Sequence, residues 1–133
     1  MPINPYVIYN ASAGSGKTFT LVKEYLKILL ASDNNQSFRK ILAITFTNKA
    51  VNEMKERILD SLCEFANPEK SLKNSALYVQ LSEELQLEES AIRHKSKKAL
   101  KEILHNYAFF DISTIDKFNH RLLRTFAKDL KLP

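Results

Sequence analysis

Apolar residues recur along most of this chain at helical spacing, interrupted by two short runs in which they are nearly continuous. From Lys17 to Leu30 the positions Phe19, Val22, Leu26 and Leu29 form a 3–4 stripe, which predicts a helix with one buried face. From about Asn48 to Ala66 a second stripe runs through Val51, Met54, Ile58, Leu62 and Phe65. Glu53 can support Arg57 at i,i+4, and Asn67-Pro68 ends the helix. The stretch from about Ser71 to Tyr107 contains neither glycine nor proline. It reads as helix with a break near Gln86 to Ser90. Leu77, Leu81 and Leu85 make the first stripe, and Ile92, Ala99, Ile103 and Tyr107 the second. A last helix, capped by Ser113 or Thr114, has Ile115, Phe118, Leu122 and Phe126 on its apolar face.

The near-continuous runs read as strands. Ile41 to Phe46 suits a parallel strand buried on both faces, and a shorter strand is expected at Phe109 to Ile112. Tyr6 to Tyr9 is a third apolar, β-favouring run, placed just before the first helix. Alternating strands and helices predict an α/β fold: a parallel sheet flanked by helices, interrupted by a helical insertion.

Between the Tyr6–Tyr9 run and the first helix lies Ala11-Ser12-Ala13-Gly14-Ser15-Gly16-Lys17-Thr18, which holds both glycines of the 133-residue chain. Average glycine usage is about 7%, so glycine is kept where backbone must wrap closely around something. The stretch fits the phosphate-binding pattern G-x-x-x-x-G-K-[ST] except that Ala11 stands at the first glycine. Glycines let successive N–H groups turn inward around an anion. Lys17 would add a charge at the β- and γ-phosphates, and Thr18 a hydroxyl to Mg²⁺. A flexible turn of small residues is the plain alternative, but strand, loop, Gly-Lys-Thr and helix in succession are the context the motif requires. ATP with Mg²⁺ is therefore the expected ligand.

Composition narrows the remainder. With 44% hydrophobic residues the chain can build a core. Its single cysteine, Cys63, falls in an apolar helix and is expected to be a buried thiol, with no disulfide framework, as suits a reducing cytoplasm. Apolar runs of about six residues are too short to span a membrane, and no signal-peptide pattern opens the chain. A net charge of +5 is compatible with nucleic acid without requiring it. Two basic clusters stand out: Arg93, Lys95, Lys97, Lys98 and Lys101, which reads as a solvated face, and Lys117, Arg121, Arg124 and Lys128 at 4–3–4 spacing, for which solvent and a phosphate backbone are equally apt partners. His94, His105 and His120 show no metal spacing.

Three segments together resemble the start of a superfamily 1 UvrD/RecB-type DNA helicase: the loop Ala11–Thr18, the run Thr45-Phe46-Thr47-Asn48-Lys49-Ala50 with Glu53-Met54-Lys55-Glu56-Arg57-Ile58, and Ser113-Thr114-Ile115-Asp116-Lys117-Phe118. The family's loop carries alanine where Ala11 stands, and the second segment is the most specific of the three. Lys117 replaces a usually small residue, and no glutamine-bearing segment precedes the first strand. The resemblance implies a P-loop NTPase (RecA-like) sheet, incomplete in residues 1–133, as a partial first motor domain with a helical insertion at about 68–107. It further implies ATP and Mg²⁺ at Ala11, Ser12, Ala13, Gly14, Ser15, Gly16, Lys17 and Thr18, the last two also catalytic. Single- or double-stranded DNA is implied at Thr45, Phe46, Thr47, Asn48, Lys49, Thr114, Asp116 and Phe118. A further implied partner is a second helicase-nuclease subunit. Phe46 fits equally a base-stacking role and the end of a core strand.

A motor of this family continues into an acidic D-E-x-x segment and a second motor domain. Tyr107 to Asp111 has only a superficial likeness to the acidic segment, because Ile112 stands at the glutamate position. The chain alone is thus expected to bind ATP weakly and not to unwind DNA. Two other classes share the phosphate loop. A small kinase would need a lid and catalytic arginines, and a non-hydrolysing nucleotide- or DNA-binding module would bind without turnover.

Overall fold

A computed structural model of the chain describes residues 15–33, 38, 41, 43–45, 47–110 and 112–130, with residues 15–17 described by their backbone alone. In chain order the elements are α1 (Ser15–Ala31), β1 (Ala43–Thr45), α2 (Asn48–Ala66), α3 (Ala76–Leu85), α4 (Glu89–His105), β2 (Ile112–Thr114) and α5 (Ile115–Asp129). A 3-10 turn at Tyr107–Phe109 joins α4 to β2. The described part is rich in helix, with a two-stranded parallel sheet in the register Ala43↔Ile112, Ile44↔Ser113 and Thr45↔Thr114. The expected strand at Tyr6–Tyr9 lies outside the described residues.

One core unites α1, α2, α3 and α4. α2 buries Val51, Met54, Ile58, Leu62 and Phe65, the full stripe its sequence sets out, and packs mainly against α4, which buries Ile92, Ser96, Ala99 and Ile103. α1 contributes Val22, Tyr25, Leu26, Leu29 and Leu30 from the other side. Fully burying one such aliphatic or aromatic side chain is worth about 1.5–3 kcal/mol, so the α1–α2–α4 contact dominates the packing. Leu72 and Leu81 join the same core, so residues 68–107 are a packed layer of it. Ion pairs Lys23–Glu84 (3.3 Å) and Lys27–Glu84 (3.6 Å) link α1 to α3 at the surface, where such pairs add little.

The helix pair 76–85 and 89–105 breaks where the sequence places the break, and Gln86 turns the chain in a left-handed conformation (φ 54°). Glycine is the usual residue there; this chain does without it. Arg93 then fastens α4 to the end of α2. Its guanidinium donates to the carbonyl oxygens of Phe65, Asn67 and Lys70 and pairs with Glu89 at 3.3 Å. Helix C-termini leave carbonyls unmatched, and the planar fork satisfies several at once. Burial raises the Tyr78 hydroxyl above its usual value of 10.0, with Glu89 adding to the rise and Arg93 opposing it. Lys95 bonds Asp33 at 3.0 Å. The α4 cluster is therefore only partly a solvated face: Arg93 and Lys95 are paired within the protein, and Lys97, Lys98 and Lys101 are exposed.

Several further expectations are corrected. The second strand lies at Ile112–Thr114, not Phe109–Ile112, because Tyr107–Phe109 form the turn that brings the chain from α4 to the sheet. All three β2 residues are buried, which favours the small Ser113 and Thr114 over the bulky aromatics before them. β1 is shorter than Ile41–Phe46, with Ile44 38% exposed, so it is not buried on both faces; Leu42 and Phe46 are outside the described residues. Cys63 is exposed. It follows Leu62 by one residue, about 100° around the helix, and so misses the buried stripe. Tyr107 is exposed rather than part of the α4 stripe. On α5 the expected apolar face exists but covers nothing: Ile115, Leu122 and Phe126 are exposed and Phe118 is half-buried.

The Ser96 hydroxyl is fully buried and has no hydrogen-bond partner among the described residues. Ser96→Ala should raise stability by about 1 kcal/mol, read as a higher urea midpoint, since it removes an uncompensated polar group. Arg93→Ala should lower stability by about 2–3 kcal/mol, and Arg93→Lys should recover only part of that, because an ammonium cannot reproduce the fork.

Candidate nucleotide and nucleic-acid site

β1 and β2 are parallel; β2 runs directly into α5, and α2 begins three residues after β1 ends, at the same edge of the sheet. Thr45 and Thr114 end the strands as register partners, with strand spacing of about 4.8 Å. Thr47 caps α2: its Oγ1 accepts from the Ala50 N–H at 3.0 Å. Thr114 caps α5 in the same way, accepting from the Lys117 N–H at 3.3 Å. The Thr45 hydroxyl donates to the Thr47 carbonyl (3.3 Å), and the Ser113 hydroxyl to the Thr114 carbonyl (3.0 Å). Threonine suits both duties, since its β-branch favours the strand and its oxygen the cap.

Two segments about 70 residues apart in sequence thereby meet, with the positive ends of two helix dipoles along one edge. Asn48 and Lys49 are exposed in the first turn of α2, which contains no acidic residue. α5 carries the exposed Asp116 in its first turn. That carboxylate already satisfies the dipole, so of the two helix ends α2 is the better one for an anion. Phe118 is half-buried one turn further along, and Phe46 lies outside the described residues.

Of the expected phosphate loop, Ala11, Ser12, Ala13 and Gly14 lie outside the described residues. Ser15, Gly16 and Lys17 form the helical start of α1, and Thr18 is half-buried in its first turn. No acidic residue stands in that turn, so the backbone end of α1 is suited to an anion. Asp111 is also outside the described residues. A cleft of about 360 Å³ between α1, α2 and the start of α3, lined by Phe19, Val22, Phe65 and Leu77 among others, contains none of these site residues.

The matching model is that of the UvrD/REP helicase N-terminal domain, over residues 2–133. The chain belongs to the UvrD/REP helicase family. Among its relatives is the RecBCD enzyme subunit RecB of Haemophilus influenzae, 33% identical over 96% of this chain and 11% of that protein. An ATP-dependent helicase/nuclease subunit of Clostridium perfringens is 35% identical over 77% of this chain and 8% of its own length. The RecB subunit of Buchnera aphidicola is 43% identical over 47% of this chain and 6% of its length. The chain thus spans about a tenth or less of these curated relatives. No solved structure matches.

The contacts of two side chains, Lys55 and Arg93, are not announced by the sequence pattern. Lys55, on α2, lies over the ring of Tyr107 at 5.4 Å and near that of Phe110 at 6.0 Å. Phe110 in turn meets Tyr25 of α1 edge-on at 5.8 Å. Lys55, Phe110 and Tyr25 thus link α2, the approach to β2, and α1. Nothing in the local spacing announces this contact, because it joins residues far apart in sequence. Arg93 is legible only as half of the Glu89–Arg93 i,i+4 pair; its three carbonyl partners depend on where α2 ends.

Thr47→Ala should cost about 1 kcal/mol by removing the α2 cap, and Thr47→Ser should restore most of it, both measured by denaturant midpoint.

Proposed function

We propose that this chain is the ATP-binding N-terminal portion of an ATP-dependent DNA helicase/exonuclease that acts in double-strand-break repair and recombination. Residues 1–133 would form part of the first motor domain, of P-loop NTPase fold, with residues 68–107 as its helical insertion. The observation that carries the reading is the Thr45↔Thr114 register, which sets the second and third family segments side by side at the carboxyl edge of a parallel sheet. Open α/β sheets bind their ligands at that edge.

Within this reading the backbone of Ala11 to Gly16 surrounds the phosphates, and Lys17 supplies the charge at the β- and γ-phosphates. Thr18 offers its hydroxyl to Mg²⁺, which neutralises phosphate charge when bound. Thr45, Phe46, Thr47, Asn48 and Lys49 meet one DNA strand together with Thr114, Asp116 and Phe118. Phe46 stacks on a base, a contact worth about 1–3 kcal/mol and indifferent to sequence, as a motor that passes over any sequence requires. The names of the relatives support both DNA and a further helicase-nuclease chain as partners. No helix of the described residues is long and apolar enough to cross a membrane.

The reading is tested by nucleotide binding to the chain, followed with a fluorescent ATP analogue. Lys17→Ala should weaken binding about tenfold or more, as expected for loss of a charged contact, with the thermal midpoint unchanged. Equal binding by the variant and the parent chain would sink the assignment of the loop.

A further inference from the structure

The two basic clusters of the sequence differ in part: Lys97, Lys98 and Lys101 of the first are exposed, but its other two cations are engaged. In the insertion, Arg93 and Lys95 are engaged by carbonyl groups, Glu89 and Asp33. On α5, Lys117, Arg121, Arg124 and Lys128 are all exposed, and no carboxylate among the described residues pairs with Lys117, Arg124 or Lys128. At 100° per residue these four side chains fall within an arc of about 60°. The helix's own carboxylates, Asp116 and Asp129, stand roughly 110° to either side of the centre of that arc. Like charges at i,i+3 and i,i+4 repel one another, so the stripe carries a cost that no carboxylate at Lys117, Arg124 or Lys128 offsets. An anionic ligand would offset it.

The stripe also has a starting point. It begins three residues after Thr114, whose oxygen accepts from the Lys117 N–H, and Thr114 is the register partner of Thr45. It then extends about 16 Å along the helix, away from the sheet edge. Ile115, Leu122 and Phe126 occupy the opposite side of α5, so cover on the apolar side would leave the basic side facing outward. We propose that Lys117, Arg121, Arg124 and Lys128 form a phosphate track for a nucleic-acid strand that has passed the β1–β2 edge. The inference rests on the DNA reading of that edge and adds four side chains and a direction to it. The contacts are to phosphate, so the track is indifferent to sequence.

The test is fluorescence anisotropy of a labelled oligothymidylate against the chain over a range of salt concentrations. The variant Lys117→Gln/Arg121→Gln/Arg124→Gln/Lys128→Gln should bind at least tenfold more weakly at about 0.1 M salt. The slope of log affinity against log salt should fall by about 2–3, the change expected for four single-strand phosphate contacts. Lys97→Gln/Lys98→Gln/Lys101→Gln, which removes exposed charge from α4, should leave the slope unchanged. Equal losses in both variants would reduce the effect to net charge and overturn the track. Circular dichroism of each variant checks that α5 is still helical. A third variant, Asn48→Ala/Lys49→Ala, separates the two claims: if it weakens binding while the α5 variant does not, the track fails and the edge stands. If the parent chain does not bind the oligonucleotide, both fail. Sedimentation with phosphatidylglycerol vesicles tests the other anionic surface. Loss of vesicle binding in the α5 variant with oligonucleotide binding intact would overturn the proposal in favour of lipid.

Discussion

The packing of α2 against α4 is the contact on which the remaining arrangement depends. α2 begins at the Thr47 cap and buries an unbroken stripe from Val51 to Phe65, so its position decides where the exposed Asn48 and Lys49 stand. α4 meets that stripe with Ile92, Ser96, Ala99 and Ile103 and also reaches α1. An interior packed this closely transmits displacement instead of absorbing it. The helix that opens at Ser15 and the helix that opens at the second family segment therefore rest on a common third helix. A stretch that interrupts the strand–helix alternation in the sequence thus supplies the surface both motif helices share.

The elements legible in the sequence are those whose signal is local. The limits of α2 follow from an apolar stripe ended by Asn67-Pro68, and the break after Leu85 follows from the change of stripe. What is not legible depends on tertiary cover. β2 uses the polar Ser113 and Thr114 because its residues are buried on both faces, whereas the aromatic run before it, which looks more like a strand, is needed for the turn and for the Phe110–Tyr25 contact. Cys63 departs from its expected burial by a single residue of helical phase. The α5 apolar face is present as a pattern, but a pattern does not say whether a partner surface covers it.

The same distinction applies to the site. The three segments identify the family because their residue types and spacing carry the information directly. The geometry adds which of them meet: Thr45 and Thr114 become neighbours only when the chain between them folds back through α2, α3 and α4. A parallel pair cannot be joined by a tight turn and needs a long crossover. Here the crossover holds three helices, and its length lets α3 and α4 be part of the core without disturbing the register at the strand ends.

Charge completes the picture of α5. A helix held to the body mainly through β2 and its threonine cap has little packing to offset repulsion among its cations, and Ile115, Leu122 and Phe126 on its other side are exposed. Each side asks for a different kind of surface, one apolar and one anionic. A helix with such opposed faces is stable at the boundary between a protein interior and a charged ligand, and less so when solvent surrounds it. The insertion cluster shows the contrasting solution, in which Arg93 and Lys95 draw their partners from the protein's own carbonyls and carboxylates. Arg93 ties α4 to the end of α2, whereas the cations of α5 face outward along a helix that starts at the edge where the two family segments converge.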